Sequence, residues 1–493
     1  MSGAELDRLA RRCLLPGFSG HRLPDWVRRE LALGLGGVVL YHGNVADLDQ
    51  VARLVEEVRR EREDAVVAID EEGGDVTRLE LSTGSSWPGN AALGAVDDVG
   101  LTREVARQIG LSLRQVGLRM TFAPTVDVNE HRGNPVIGVR AFGADPAVVA
   151  RHSVAFVEGL QGTGVAACAK HFPGHGAVDV DSHLALPVLD TDAASLEASA
   201  LPPFVATIGA GVRSVMVGHL ALPALGVELA STSELVMRTL LRQRLGFEGV
   251  VVTDALEMGG FADTVGLVAG GVRAVGAGAD LLCIGALDGE DRTCALRSAL
   301  VAAVRDGSLP EERLHDVGAR LADLHAWSAQ EPVGPLAGPD RDVGLVAARR
   351  AVQVSGPPPV LGDRVVVVEA GGPPNPAVGD ATWGIGGLLA DRRRGVEVRK
   401  IEAPASAEAV LAPAAGADLV LVVRDRSVHP WLGELTRAVL AHRPDAVVVD
   451  VGAADRPAGA RHYLATHGAS AAAARVVTEL LDSGRVAAVA AEV

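Results

Sequence analysis

The sequence predicts an α/β protein: a (β/α)8 TIM-type barrel followed by a smaller α/β sandwich domain. Short apolar runs alternate with amphipathic stretches through the first two-thirds of the 493 residues. Polar and charged residues close those runs at one end, as Asp70, Asp127, Lys170-His171, His219 and Asp254. A Pro- and Gly-rich stretch at 331–345 then precedes a second, shorter series of the same kind.

Taken in order, the strand candidates of the first series are 35–42, 65–70, 120–128, 165–171, 214–219, 250–254 and 280–284. Each is a short apolar run ending in polar or Gly residues, as a strand of a buried parallel sheet should be. Helical stretches such as 48–62, 101–116 and 147–160 lie between them. An eighth strand cannot be placed. Residues 1–330 are expected to form the barrel, 331–345 a linker and 346–493 the second domain, with strands at 364–369, 396–401, 418–423 and 446–451. Barrel active sites sit at the C-terminal ends of the strands. Random placement would scatter charged residues over both ends, so their repetition at one end marks the site.

Composition narrows the partners. A net charge of −16 and the lack of a basic face argue against nucleic acid. No apolar run reaches the ~18 residues of a membrane helix. The N-terminal residues lack the apolar run of a signal peptide, so a cytoplasmic location is expected. Cys13, Cys168, Cys283 and Cys294 are scattered and fit reduced thiols. Aromatic content is 3%, which favours a short ligand over a polymer groove. Phe172 and Trp87 are the candidate stacking rings. Gly384-Ile385-Gly386-Gly387 misses the dinucleotide fingerprint, and no cofactor is expected. The oligomeric state, monomer or homodimer, is not set by the sequence.

The densest chemistry is Lys170-His171-Phe172-Pro173-Gly174-His175-Gly176, followed by Asp181-Ser182-His183. The chain has two lysines, Lys170 and Lys400, among 46 Lys and Arg residues. A compact ammonium placed among histidines in an arginine-using chain points to chemistry. His171 and His175 invite a metal reading. Pro173-Gly174 between them breaks the helix such a pair needs, and no acidic third ligand has the spacing, so no metal is expected. A carboxylate beside an imidazole, as in Asp181-Ser182-His183, fixes the tautomer and stabilises the charged form. The same spacing also fits a turn with an exposed His. Asp254, ending the run Val250-Val251-Val252-Thr253, fits a nucleophile, an acceptor for ligand hydroxyls or a helix cap. Asp70-Glu71-Glu72-Gly73-Gly74 with Arg78 fits a sugar-binding strand end or a simple turn.

Together these segments resemble glycoside hydrolase family 3, in its β-N-acetylglucosaminidase branch. The matching stretches are Ala68 to Arg78, Phe122 to Val128, Asn134 to Gly143, Lys170 to Gly176 with Asp181-Ser182-His183, and Val252 to Leu256. They occur in the family's order over most of the first 330 residues. Thr121 and Ala141 depart from many relatives' Asn and Ser. The resemblance implies that Asp254 is the nucleophile and His183 the acid/base, assisted by Asp181. It implies that Asp70, Arg78, Arg140, Lys170 and His171 hold the sugar. The expected protein is a retaining exo-β-N-acetylglucosaminidase. Its substrates would be small carbohydrates, either muropeptides of cell-wall recycling or short chitin oligosaccharides. A neutral histidine repels an anionic acceptor less than a carboxylate does. A phosphorylase using inorganic phosphate is therefore the alternative, beside a family 3 β-glucosidase.

Overall fold

A computed structural model describes residues 2–330, 337–373, 375–379, 381–452 and 455–483. The chain divides into two compact units. The first comprises Met1–Glu72, Thr102–Glu130 and Ala144–Pro339. The second comprises Gly73–Leu101, His131–Gly143 and the described residues from Asp340 onward. Two excursions from the N-terminal part thus fold with the C-terminal part. A division at the linker alone does not capture them.

In the first unit the strands are β1 (Leu14–Pro16), β2 (Gly37–Leu40), β3 (Val66–Ile69), β4 (Cys168–Phe172), β5 (Ser214–Val217), β6 (Val250–Thr253) and β7 (Leu282–Ile284). Every strand residue is buried, as expected where both faces of a parallel strand are covered. β1 pairs with β7, β2 with β3, β4 with β5 and β5 with β6, all parallel. Isolated bridges Gly17–Val39 and Val252–Leu281 join β1 to β2 and β6 to β7. The Phe122 N–H donates to Ile69 O, and bridges Met120–Ala166 and Thr125–Lys170 carry residues 120–126 between β3 and β4. The pairings therefore return to their start, and the unit is TIM-like.

The strand missing from the sequence reading is Leu14–Pro16. It follows directly on helix Gly3–Arg12, so no turn residues announce it. Conversely, 120–128 is not a continuous strand. Pro124 has no N–H to give the ladder, and the stretch holds its place through single bridges. Helix Leu48–Glu61 shows how the outer layer forms. Asp47 caps it by accepting from the Gln50 N–H, and Val51, Leu54, Val55 and Val58 bury one face at helical spacing.

The second unit contains a six-stranded sheet in the order β10-β9-β11-β12-β13-β8. Its strands are β8 (Gln353–Ser355), β9 (Val365–Ala370), β10 (Val396–Ile401), β11 (Asp418–Val423), β12 (Val447–Asp450) and β13 (His462–Ala465). Only β8 runs antiparallel, against β13. Alternate residues face opposite layers. Val366 and Val368 pack towards helix Pro430–His442, while Val365 and Val367 pack towards Val477 and Leu481 of helix Ala471–Ser483. β8 and β13 were not read from sequence. Residues 331–336 of the expected linker lie outside the described residues. Residues 341–345 belong to helix Arg341–Ala351, capped by Asp340. No helix among the described residues is long and apolar enough to cross a membrane.

Candidate active site

The C-terminal strand ends of the first unit gather the charged residues. Lys170 on β4 is 2% exposed and reaches two carboxylates, Asp70 Oδ1 at 2.9 Å and Glu72 Oε1 at 2.7 Å. Thr125 Oγ1 donates to Glu72 Oε2 at 3.2 Å. An ammonium has three donors on a single point and satisfies such converging acceptors, which a planar guanidinium does not. Asp70 keeps part of its side chain in solvent.

His171 follows on the same strand. Its Nδ1 lies 2.7 Å from Asp127 Oδ2, and its backbone N–H points to the same carboxylate. The Asp127 carboxylate also accepts the His175 N–H at 2.6 Å. Burial works to raise the Asp127 carboxyl, but His171 and His175 together outweigh it and hold the group below the usual range. Gly176 lets the chain pass close here, since a Cβ would stand 1.8 Å from Val128 O.

Asp254 lies just past the end of β6, with its Oδ1 accepting the Ala255 N–H at 2.8 Å. Burial pushes its pKa up. The imidazoles of His171, His219 and His183 act in the opposite sense and bring it down to about 2. The carboxylate is therefore ionised at neutral pH and is flanked by histidines. His219 Nε2 faces Ala255 O at 3.1 Å and its Nδ1 faces Ser231 Oγ at 2.7 Å. A carbonyl can only accept, so Nε2 carries the proton. Burial lowers the His219 pKa.

Asp181 and His183 meet within one turn. Asp181 Oδ1 lies 2.7 Å from His183 Nδ1 and accepts the His183 N–H at 2.9 Å. The carboxylate fixes Nδ1 as the protonated nitrogen and leaves Nε2 for proton exchange. Burial works to raise the Asp181 carboxyl, but the hydrogen bonds and charge of His183, together with the charge of His175, override it and hold the group below the usual range.

Asp70, Lys170, His171, Asp181, His183 and Asp254 all belong to the first unit. Arg78 and Arg140 belong to the second. There Arg78 donates to Ala377 O at 2.7 Å and Val378 O at 3.3 Å, and Arg140 donates to Val136 O at 3.0 Å. Phe172 and Trp87 are 0% and 2% exposed, which rules them out as sugar platforms. Phe172 packs edge-on against Phe204 instead. Sequence reasoning gave no role to Glu72 or Ser182, and weighed His175 only as a metal ligand. Glu72 sits in the loop after β3, and only the fold brings it to Lys170. Among the described residues no group of three or more His, Cys, Asp or Glu is arranged to hold a metal.

A TIM-like ring with charged side chains gathered at its C-terminal strand ends defines the class: an α/β enzyme with a TIM-like domain. The model of the family described as "Glycosyl hydrolase family 3 N terminal domain" matches residues 23–324, and the chain belongs to glycosyl hydrolase family 3. A β-hexosaminidase A of Pseudoalteromonas piscicida is 35% identical over 317 residues, covering 59% of this chain. The chain spans about half of that relative's length, 53%. A β-hexosaminidase of Thiobacillus denitrificans is 36% identical, covering 55% of this chain and 77% of its own length. A solved family 3 β-N-acetylglucosaminidase from a Paenibacillus species superposes with a TM-score of 0.87 at 31% identity, covering 97% of each chain.

Proposed function

We propose that the protein is a retaining exo-β-N-acetylglucosaminidase that cleaves terminal N-acetylglucosamine from small glycosides. The observation that carries this is the Asp181–His183 pair at 2.7 Å in the same site as Asp254, whose low pKa reflects His183 among its neighbours. The names of the relatives support the N-acetylhexosamine preference. Muropeptides and short chitin oligosaccharides are the substrates in view.

In this reading Asp254 attacks the anomeric carbon while His183 Nε2–H protonates the departing oxygen. The imidazole then takes a proton from water, which hydrolyses the glycosyl ester. Two displacements give retention. Asp181 stabilises the imidazolium in the first step and holds the ring for the second. Asp70, Lys170 and His171 bind the sugar hydroxyls, and Glu72 holds the Lys170 ammonium in place. Arg78 and Arg140 are assigned to sugar binding on the family resemblance. The (β/α)8 catalytic barrel lies within residues 1–330 in this account, without the two excursions that fold with the second unit.

A second reading keeps the same intermediate but replaces water with inorganic phosphate. It is favoured by the imidazole acid/base, which presents no carboxylate charge to an anionic acceptor. Initial rates on aryl β-glycosides of N-acetylglucosamine and of glucose, with and without phosphate, test the proposal. A strong preference for the N-acetyl sugar, with free sugar released at a phosphate-independent rate, is expected. A preference for glucose would refute the substrate assignment. Accumulation of a sugar phosphate would move the reaction to the second reading.

A further inference from the structure

The acid–base loop is held from two sides by groups that the mechanism above does not use. On one side, His175 Nε2 lies 3.0 Å from the hydroxyl of Ser182, the residue between Asp181 and His183. His175 is itself fixed through its backbone N–H to Asp127 Oδ1 at 2.6 Å. The other oxygen of Asp127 holds the His171 ring at 2.7 Å. On the other side, the carbonyls of Ser182 and His183 accept the N–H groups of Gly260 and Gly259, both at 3.0 Å. Those two glycines follow Asp254 closely in the chain. Gly259 cannot carry a side chain without disturbing the loop, because a Cβ would stand 2.5 Å from Leu184 O.

Burial makes these contacts costly to lose. Asp127, His175 and Ser182 are 0%, 1% and 2% exposed. A buried polar atom that loses its partner is not rescued by solvent. Burial, with His171 acting in the same direction, lowers the His175 pKa to about 4, so the ring stays neutral through the working range. The Asp127 carboxylate stays ionised and keeps accepting. The link therefore does not change its charge while His183 gains and loses its proton.

Resting on the glycosidase reading above, we propose that Asp127, His175 and Ser182 form a positioning relay that fixes the acid–base imidazole of His183 and ties its placement to the sugar-contacting His171. The three residues touch neither substrate nor the reacting atoms. They set where His183 Nε2 stands, and because Asp127 holds both histidines, a shift of His171 reaches the loop.

Leaving-group dependence separates positioning of the acid from general structural support. A poor leaving group needs its proton from His183, whereas a dinitrophenolate departs without it. Ser182→Ala and His175→Gln would be assayed on the phenyl and dinitrophenyl β-glycosides of N-acetylglucosamine, alongside melting curves. Loss of one neutral hydrogen bond should lower kcat on the phenyl glycoside about tenfold with KM within about twofold. The dinitrophenyl kcat/KM, which reports formation of the intermediate alone, should change by no more than about twofold. His175→Gln, which keeps a donor in reach of Ser182, should lose less. Equal losses on both substrates, a change in KM alone, or no change would overturn the relay. A wild-type enzyme inactive on both glycosides would overturn the glycosidase reading, and the relay's function with it.

Discussion

Lys170 shows how much chemistry a single residue carries and how little of its setting the sequence reveals. Its rarity was visible, and so were Asp70, His171, Asp254 and the Asp181–His183 spacing. Glu72 was in plain view but silent, because it meets the ammonium only after the chain has folded from β3 to β4. Its distance of 2.7 Å accounts for a lysine here in a chain that has only one other, Lys400. Lys170→Arg keeps the charge but replaces a three-donor point with a flat fork, in a space where the side chain is 2% exposed. It should reduce kcat/KM by about a hundredfold, because Asp70, the carboxylate proposed to bind the sugar, is displaced. Steady-state rates on an aryl N-acetyl-β-glucosaminide measure this. Activity within twofold of wild type would mean that any cation serves.

At the scale of elements, what the sequence revealed depended on length and punctuation. The valine-rich runs of β6 and β9 were plain. Leu14–Pro16 and Gln353–Ser355 were not, because three residues beside a helix leave no periodicity to read. The excursions Gly73–Leu101 and His131–Gly143 also gave no local sign of folding with the C-terminal unit. The anchor of the first is Asp75, whose carboxylate meets Arg424 at 2.9 Å and accepts the Ala469 N–H at 2.7 Å. Both residues of the pair are buried. Burial outweighs Arg424 and raises the Asp75 pKa to about 6. Removing one partner leaves an uncompensated buried charge, which costs about 3–5 kcal/mol. Arg424→Met should lose stability on that scale in urea unfolding, and adding Asp75→Asn should restore part of it. A double variant no more stable than Arg424→Met would show that the pair is not the anchor.

Across the whole molecule, the buried histidines and aspartates set how stability changes with pH. His175 is lowered by burial from 6.5 to about 4. Between those values the unfolded chain binds the extra proton, so stability is full above pH 6.5 and falls as pH drops towards 4. The contribution is about 3 kcal/mol. Asp254, lowered to about 2, adds a second loss as pH falls from about 4 through 2. Asp75 acts in the opposite sense. Its contribution is complete below about pH 4 and is lost as pH rises through about 6. Urea unfolding from pH 7 to 4 should show a shallower dependence for His175→Gln than for wild type. Superimposable slopes would contradict a buried neutral His175.

The central claim is that Asp254 forms a covalent bond to the sugar. The most direct measurement uses His183→Ala, which slows breakdown of the intermediate, with the dinitrophenyl β-glycoside of N-acetylglucosamine. The quenched protein is digested and the modified peptide located by mass spectrometry. The account predicts one N-acetylhexosamine ester on Asp254. Dinitrophenol release with no adduct, or an adduct on another carboxylate such as Glu257, would contradict it.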